Sequence, residues 1–283
     1  MILIADSGST KTSWALISKA ETTFVHTEGY NPYYMNADYI RNSVEQSFED
    51  LAIRQAVTQV FFYGAGCSPE RKEVVLSALR SCFLNAKIEV QGDLLAAARC
   101  LLGGKEGFAA ILGTGTNSCF YNGNEIISTI DSLGFLVGDE GSGAYLGKQI
   151  IKSYVRGLLP SHLTLAFKEQ FQFTEAQLIS ELYASKSPNK FSAQFCAFAG
   201  KHVDEPFILE LTKTSFRDFF NGIIVHYKNY KGFEISFVGS VAFVFLPILK
   251  SVAEEFSMNV GKAVKCPLAD LIDYHLKNPV QAI

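Results

Sequence analysis

Four short stretches of the chain bring hydroxyls, acids and glycines together at spacings that suit phosphate chemistry. At residues 6–12 an acid ends an apolar run and is followed at once by a small, hydroxyl-rich loop and one cation, DSGSTKT. Such a loop offers backbone N–H groups and hydroxyls with little side-chain bulk, which is what a polyphosphate needs to approach a chain closely. Asp6 at its start can hold Mg²⁺ against that phosphate, directly or through water, and Lys11 can neutralise charge. Asp, Ser and Gly are also ordinary turn formers, so this stretch alone reads equally well as a plain hairpin. A second loop, GTGTN at 113–117, stands at the equivalent place in the other half of the chain and favours phosphate. Neither is a Walker-type loop, because a strand-like run, Trp14-Ala15-Leu16-Ile17 after the first, follows where a helix would open.

The remaining candidates each have an ordinary reading beside the chemical one. VGDEGSG at 137–143 sets Asp139 and Glu140 among three glycines ahead of a helix. Helix capping explains the acids, but close backbone approach to a ligand explains the glycines as well. Asp93 follows a strand and begins a helix, where Asp is a preferred N-cap; the same place, at a strand's carboxyl end, is where ligands of open α/β sheets bind. Gly239-Ser240 is either a plain strand-to-helix turn or a nucleotide contact at a helix start. Asn31, before Pro32, reads as a turn residue. The five histidines form no cluster.

The elements that must carry these residues repeat. Three strands (2–6, 12–18, 22–27) precede a helix capped by Asn36, then strand 57–63, a helix entered at Ser68-Pro69, strand 88–91 and a helix from Asp93. After GGKEG at 103–107 the plan restarts: strand 108–112, strand 117–121, an Asn122-Gly123 turn and strand 125–130. A helical region with a capping box at Thr174–Gln177 interrupts it. A helix near 205–227, strand 234–238, helix 241–256, strand 262–265 and a terminal helix after Pro267 complete it. The expectation is an α/β protein of two domains, 1–104 and 105–283, each βββαβαβα, with a cleft between them. A helical insertion at about 157–204 interrupts the second, and the terminal helix can return to the first domain.

With 48% hydrophobic and 19% charged residues, 283 residues suffice for two well-packed cores. A net charge of −3 and the lack of a basic block argue against nucleic acid. The most apolar later run, 237–249, is too short to span a bilayer. Six cysteines without metal-ligand spacing read as reduced core thiols, and an N-terminus that enters a strand directly leads us to expect a cytoplasmic protein.

In order and spacing, DSGSTKT, GTGTN, GDEGS at 138–142 and VGSV at 238–241 resemble N-acetylglucosamine kinases. These belong to the sugar kinase, Hsp70 and actin superfamily, in the branch shared with ATPase subunits of benzoyl-CoA reductase and dehydratase activators. The resemblance implies two ribonuclease-H-like, actin-like ATPase domains and an ATP- and Mg²⁺-dependent kinase acting on the 6-hydroxyl of an amino sugar. It implies that Thr10 and Thr114 contact ATP phosphates, with Ser9, Lys11 and Gly115 in the same loops, and that Gly239 and Ser240 lie near the adenosine. Asn31, Asp93, Thr116, Asn117, Gly134 and Asp139 would line the sugar site, with Asp93 as general base. Two departures stand out: Phe135 replaces a tryptophan of relatives, which bears on sugar identity, and the tail 267–275 lacks a glycine pair of the adenine-side loop. The alternatives are an ATP-driven activator of a partner enzyme, which would need cluster-binding cysteines, and a sugar sensor without turnover. A homodimer through the helical insertion is a further expectation.

Overall fold

The structure is a computed structural model that describes residues 1–8 and 10–278. It divides into two compact units, residues 1–104 with 266–283, and residues 105–265.

In the first unit, β1 (Ile2–Ser7), β2 (Lys11–Ile17) and β3 (Thr22–Glu28) form an antiparallel meander, and β4 (Gln59–Gly64) and β5 (Lys87–Gly92) continue the sheet in parallel, in the order β3-β2-β1-β4-β5. Helices α1 (Ala37–Ser47), α2 (Leu51–Ala56), α3 (Lys72–Cys82) and α4 (Asp93–Leu102) connect the strands. Asn36 caps α1 by accepting from the Tyr39 N–H at 2.9 Å. Ser68-Pro69 makes a turn whose Ser68 carbonyl accepts from Arg71 and Lys72, so the regular helix starts only at Lys72.

The aromatic run Phe61-Phe62-Tyr63 follows from strand alternation, which sends neighbours to opposite faces. Phe62 joins Trp14, Ile40, Val44 and Leu79 in the core under α1 and α3. Phe61 stacks on His275 of the last helix, α14 (Leu268–Lys277), at 3.7 Å between ring centroids, and the Tyr63 hydroxyl bonds the same imidazole at 2.8 Å. The terminal helix therefore belongs to the first unit, packed on β1, β2 and α4.

The second unit repeats the sheet as β10-β9-β6-β7-β8, from β6 (Glu106–Leu112), β7 (Thr116–Asn122), β8 (Ile126–Thr129), β9 (Ile235–Val238) and β10 (Val260–Val264). Between β8 and β9 lie α5 (Gly134–Val137), α6 (Gly143–Val155), α7 (Ser161–Phe171), α8 (Glu175–Ala184), α9 (Pro188–Ala193), α10 (Cys196–Lys201) and α11 (Pro206–Gly222). The capping box of α8 forms, with Thr174 and Gln177 exchanging bonds. The helix expected over 241–256 is two, α12 (Ser240–Val244) and α13 (Leu246–Glu255). Pro247 has no N–H to give the preceding turn, so the break falls at Phe245. No helix among the described residues is long and apolar enough to cross a membrane.

Candidate active site

The first unit gathers two carboxylates at the carboxyl ends of its parallel strands. Ser7, Gly64 and Gly92 stand in register across β1, β4 and β5, so Asp6, one residue before that line, and Asp93, one after it, meet at the same edge of the sheet. Gly92 is the N-cap of α4 and Asp93 is its first residue, which corrects the expectation of Asp93 as cap. Burial pushes the Asp93 carboxyl above the usual range, opposed by its own N–H and that of Leu94. Burial, and then the charge of Asp93, push Asp6 up to about 7, while Lys11 acts the other way.

Ser7, which sequence reasoning passed over, holds this corner. Its hydroxyl bonds Thr12 across the hairpin at 2.7 Å and accepts from the Tyr30 N–H at 3.0 Å. Its carbonyl accepts from Ala65. The only hint in the sequence is a Ser and a Thr flanking the loop symmetrically. Thr10 and Lys11 are exposed, and the Thr10 carbonyl accepts from Gly29; Ser9 lies outside the described residues. Asn31 turns its Oδ1 back to the Tyr33 N–H at 3.0 Å. A Cβ on Gly66, at φ +79°, would stand 2.5 Å from that oxygen, so a glycine there lets the 64–66 loop close on Asn31.

In the second unit the two predicted glycine-rich stretches meet. Asp139 is 7% exposed, and its Oδ1 accepts from the Thr116 N–H at 3.1 Å. The Thr116 hydroxyl donates to the Glu140 carbonyl at 2.7 Å, while Gly143 and Ala144 donate to the carbonyls of Gly113 and Thr114. Burial raises the Asp139 carboxyl, against the Thr116 N–H, the Ser132 hydroxyl and Lys148. Asn117 stays local, its Oδ1 accepting from the Ser118 N–H. Gly134, at φ +67°, opens α5, and the Lys148 ammonium donates to the carbonyl of the next residue, Phe135.

Gly239 donates to the Val264 carbonyl and closes on the end of β6. Beside it is a pocket of about 400 Å³. Thr114 and Ser240 line it, together with Ala193, Cys196, Ala197 and Lys201 of the helical insertion. Small residues along α9 and α10 leave room there; the sequence shows them in CAFAG at 196–200, and only the fold brings them to the loop.

Asp6 fits a Mg²⁺ carried by a nucleotide. This ion takes one or two carboxylates and fills the rest of its shell with phosphate and water. A cation there would relieve the charge that Asp93 imposes on Asp6. Among the described residues no three His, Cys, Asp or Glu side chains converge into an all-protein cage.

No protein-family model matches the sequence, and no curated protein matches it. Solved structures do. A proposed N-acetylglucosamine kinase from Porphyromonas gingivalis is 38% identical, with 99% of this chain and 100% of that chain covered and a TM-score of 0.93. Another from Chromobacterium violaceum is 15% identical over 96% and 98% of the chains, with a TM-score of 0.70. A glucokinase of the ROK family from Streptomyces griseus, in complex with glucose and AMPPNP, shares the fold at 14% identity, 96% and 97% coverage and a TM-score of 0.51. With more than a third of its residues shared along the whole length of the P. gingivalis protein, the chain belongs to the N-acetylglucosamine kinase-like family of sugar kinases, phosphotransferases with an alcohol group as acceptor, on the two-unit actin-like ATPase fold.

Proposed function

We propose that the protein transfers the γ-phosphoryl group of ATP to the 6-hydroxyl of an amino sugar, N-acetylglucosamine in the first place. The observation that carries this is Asp93: a buried carboxylate at the first residue of α4, raised by that burial and set beside a second acid at the strand ends. A raised carboxylate is a stronger base than one in water, and it suits removal of a hydroxyl proton.

In this reading the adenosine occupies the pocket beside Ser240, and the phosphates lie along the loop at Thr114 and Gly115, with Thr10 and Lys11 of the other loop as further contacts. Asn31, Thr116, Asn117, Gly134 and Asp139 hold the sugar. Asp93 takes the proton of the acceptor hydroxyl as its oxygen bonds to the γ-phosphorus and the bond to the bridging oxygen of ADP breaks. Loop N–H groups stabilise the charge spreading over the phosphoryl oxygens. Asp6 would hold a Mg²⁺ carried by the nucleotide, which would supply neutralisation of phosphate charge.

The test is coupled ADP release against glucose, glucosamine, N-acetylglucosamine, N-acetylmannosamine and N-acetylmuramic acid, beside a control without sugar. Turnover that depends on an N-acetylated hexose supports the proposal. ADP release indifferent to every sugar would overturn it in favour of an ATPase that serves a protein partner.

A further inference from the structure

The pocket of about 400 Å³ beside Gly239 is lined mostly by glycine, alanine, valine and phenylalanine. Its glycines stand where chains approach closely: a Cβ on Gly143 would lie 3.2 Å from the Gly113 carbonyl oxygen and 3.3 Å from the Val241 side chain, and one on Gly200 would lie 3.5 Å from Val244. Walls of this kind give a flat ring broad apolar contact. They bring no side-chain polar atom to its edge.

Four lining side chains do carry a polar atom. Thr114 belongs to the phosphate loop and Ser240 to the start of α12, which leaves Cys196 and Lys201 for the base. Burial pushes the Cys196 thiol up to about 12, so it stays neutral, and a neutral thiol is a weak partner. Lys201 is exposed, donates to Gln170 Oε1 at 3.0 Å and offers donors only. Among the described residues that line the pocket there is no Asn, Gln, Asp or Glu to accept from an amine, and the carbonyls of Gly113 and Thr114 already accept from Gly143 and Ala144. Adenine and guanine share the N7 acceptor and differ at position 6, an amine donor in one and a carbonyl acceptor in the other. A site rejects an analogue strongly only where it holds a polar group for the atom that differs; an apolar pocket rejects a near-isostere weakly.

Resting on the kinase reading, we propose that the donor site holds a purine nucleoside triphosphate by its ring faces and its phosphates and does not read position 6, so that GTP and ITP serve as phosphoryl donors as ATP does. The transfer is the same with each: the bond from the γ-phosphorus to the bridging oxygen breaks, the bond to the acceptor oxygen forms, and the nucleoside diphosphate leaves. Lys201 can donate to N7 of any of the three and to O6 of guanine and hypoxanthine, an exposed contact worth a few-fold at most.

The experiment gives the full chain ATP, GTP or ITP with the sugar that supports turnover and measures sugar phosphate, which reads every donor alike. Calorimetry with ADP, GDP and IDP reads binding without turnover. We expect kcat/KM and Kd to agree among the three purines within about 10-fold. A larger preference for one purine in either readout overturns the proposal; if ATP is the one preferred, a backbone carbonyl at the end of α10 accepts from the 6-amine. Ala197→Leu then tests the place. Ala197 is exposed and lines the pocket, so a longer side chain enters the space given to the base without displacing the core. We expect it to weaken ADP, GDP and IDP together, each by about 5-fold or more, with wild-type melting. A folded variant that binds all three as the wild type does overturns the proposal, and so does one that weakens a single purine. If no sugar supports transfer from any donor, the kinase reading falls and calorimetry alone decides: matched binding of the three diphosphates that Ala197→Leu weakens keeps the pocket as a purine site blind to position 6, and selective or absent binding removes it.

Discussion

Asp139 and Thr116, 23 residues apart, are joined by a bond from the Thr116 N–H to Asp139 Oδ1, and this bond fastens the GDEGS segment to the β6–β7 loop. Asp139 itself sits at φ +61°, a left-handed conformation that Asn shares more easily than Ala. Asp139→Ala strands a buried N–H and strains the backbone, so unfolding free energy should fall by about 1–3 kcal/mol and the KM for the sugar should rise about 10-fold or more. Asp139→Asn keeps an acceptor for Thr116. Denaturant melts should therefore separate the two variants, Asn close to wild type in stability and Ala well below; equal losses would show that the bond does not fasten the loop.

Asp93→Asn removes the base and leaves the shape. Turnover should drop by roughly 10²–10⁴ while nucleotide affinity, measured by calorimetry with ADP, stays within about 2-fold. Because burial raises the Asp93 carboxyl, the acid limb of kcat/KM in the wild type should fall at a higher pH than an ordinary carboxylate gives. A variant with near-normal kcat would take the base role away from Asp93.

Gly239 has φ +128°, and a Cβ there would lie 2.3 Å from the Leu112 carbonyl oxygen. Backbone cannot yield as a flexible side chain would. Gly239→Ala should destabilise the protein by about 2–4 kcal/mol and weaken ADP binding through the displaced loop at Gly113. A variant with wild-type melting and wild-type ADP affinity would refute the tight packing of this turn on β6.

The strand and loop order was legible because each hairpin announces itself locally: Asp6 and Gly113 end apolar runs, and Trp14 and Ser118 resume alternation. Alternation also made both sheets readable, yet Phe61-Phe62-Tyr63 resisted it. A strand packed on both faces carries no polar phase, and the partner of Phe61, His275, is more than two hundred residues away. A like separation hides Tyr63 from His275, and a shorter one of 82 residues still hides Cys196 from Thr114: long-range proximity has no local signature. Asp93 was ambiguous for a different reason, since Asn, Asp, Ser and Gly all serve as caps and only the backbone shows that Gly92 took that place. The break at Pro247 was readable and was missed, because the apolar period on either side continues in phase.

His275 is 4% exposed, and burial, with Arg99 adding to it and Glu89 opposing, pushes its imidazole down to about 4. The folded state keeps the ring neutral where the unfolded chain, with a histidine near its ordinary 6.5, begins to take up a proton. Between pH 6.5 and 4 the unfolded state thus binds more protons, and stability falls as pH falls through that window; above it the contribution is fully present. Its size is on the order of 2–4 kcal/mol. Asp6, raised to about 7, has the opposite sign over the same range, because its folded form holds the proton that the unfolded chain releases. The raw slope of stability against pH therefore mixes the histidine with Asp6 and the other raised carboxyls, Asp93 and Asp139, and the difference between wild type and His275→Gln isolates the histidine. Denaturant melts without nucleotide at pH 7.5 and pH 5 should show His275→Gln losing less stability on acidification than wild type, even though it starts lower for want of the stacking on Phe61. Parallel losses in both proteins would mean that His275 does not resist protonation in the fold, and that the last helix is held by its apolar face alone.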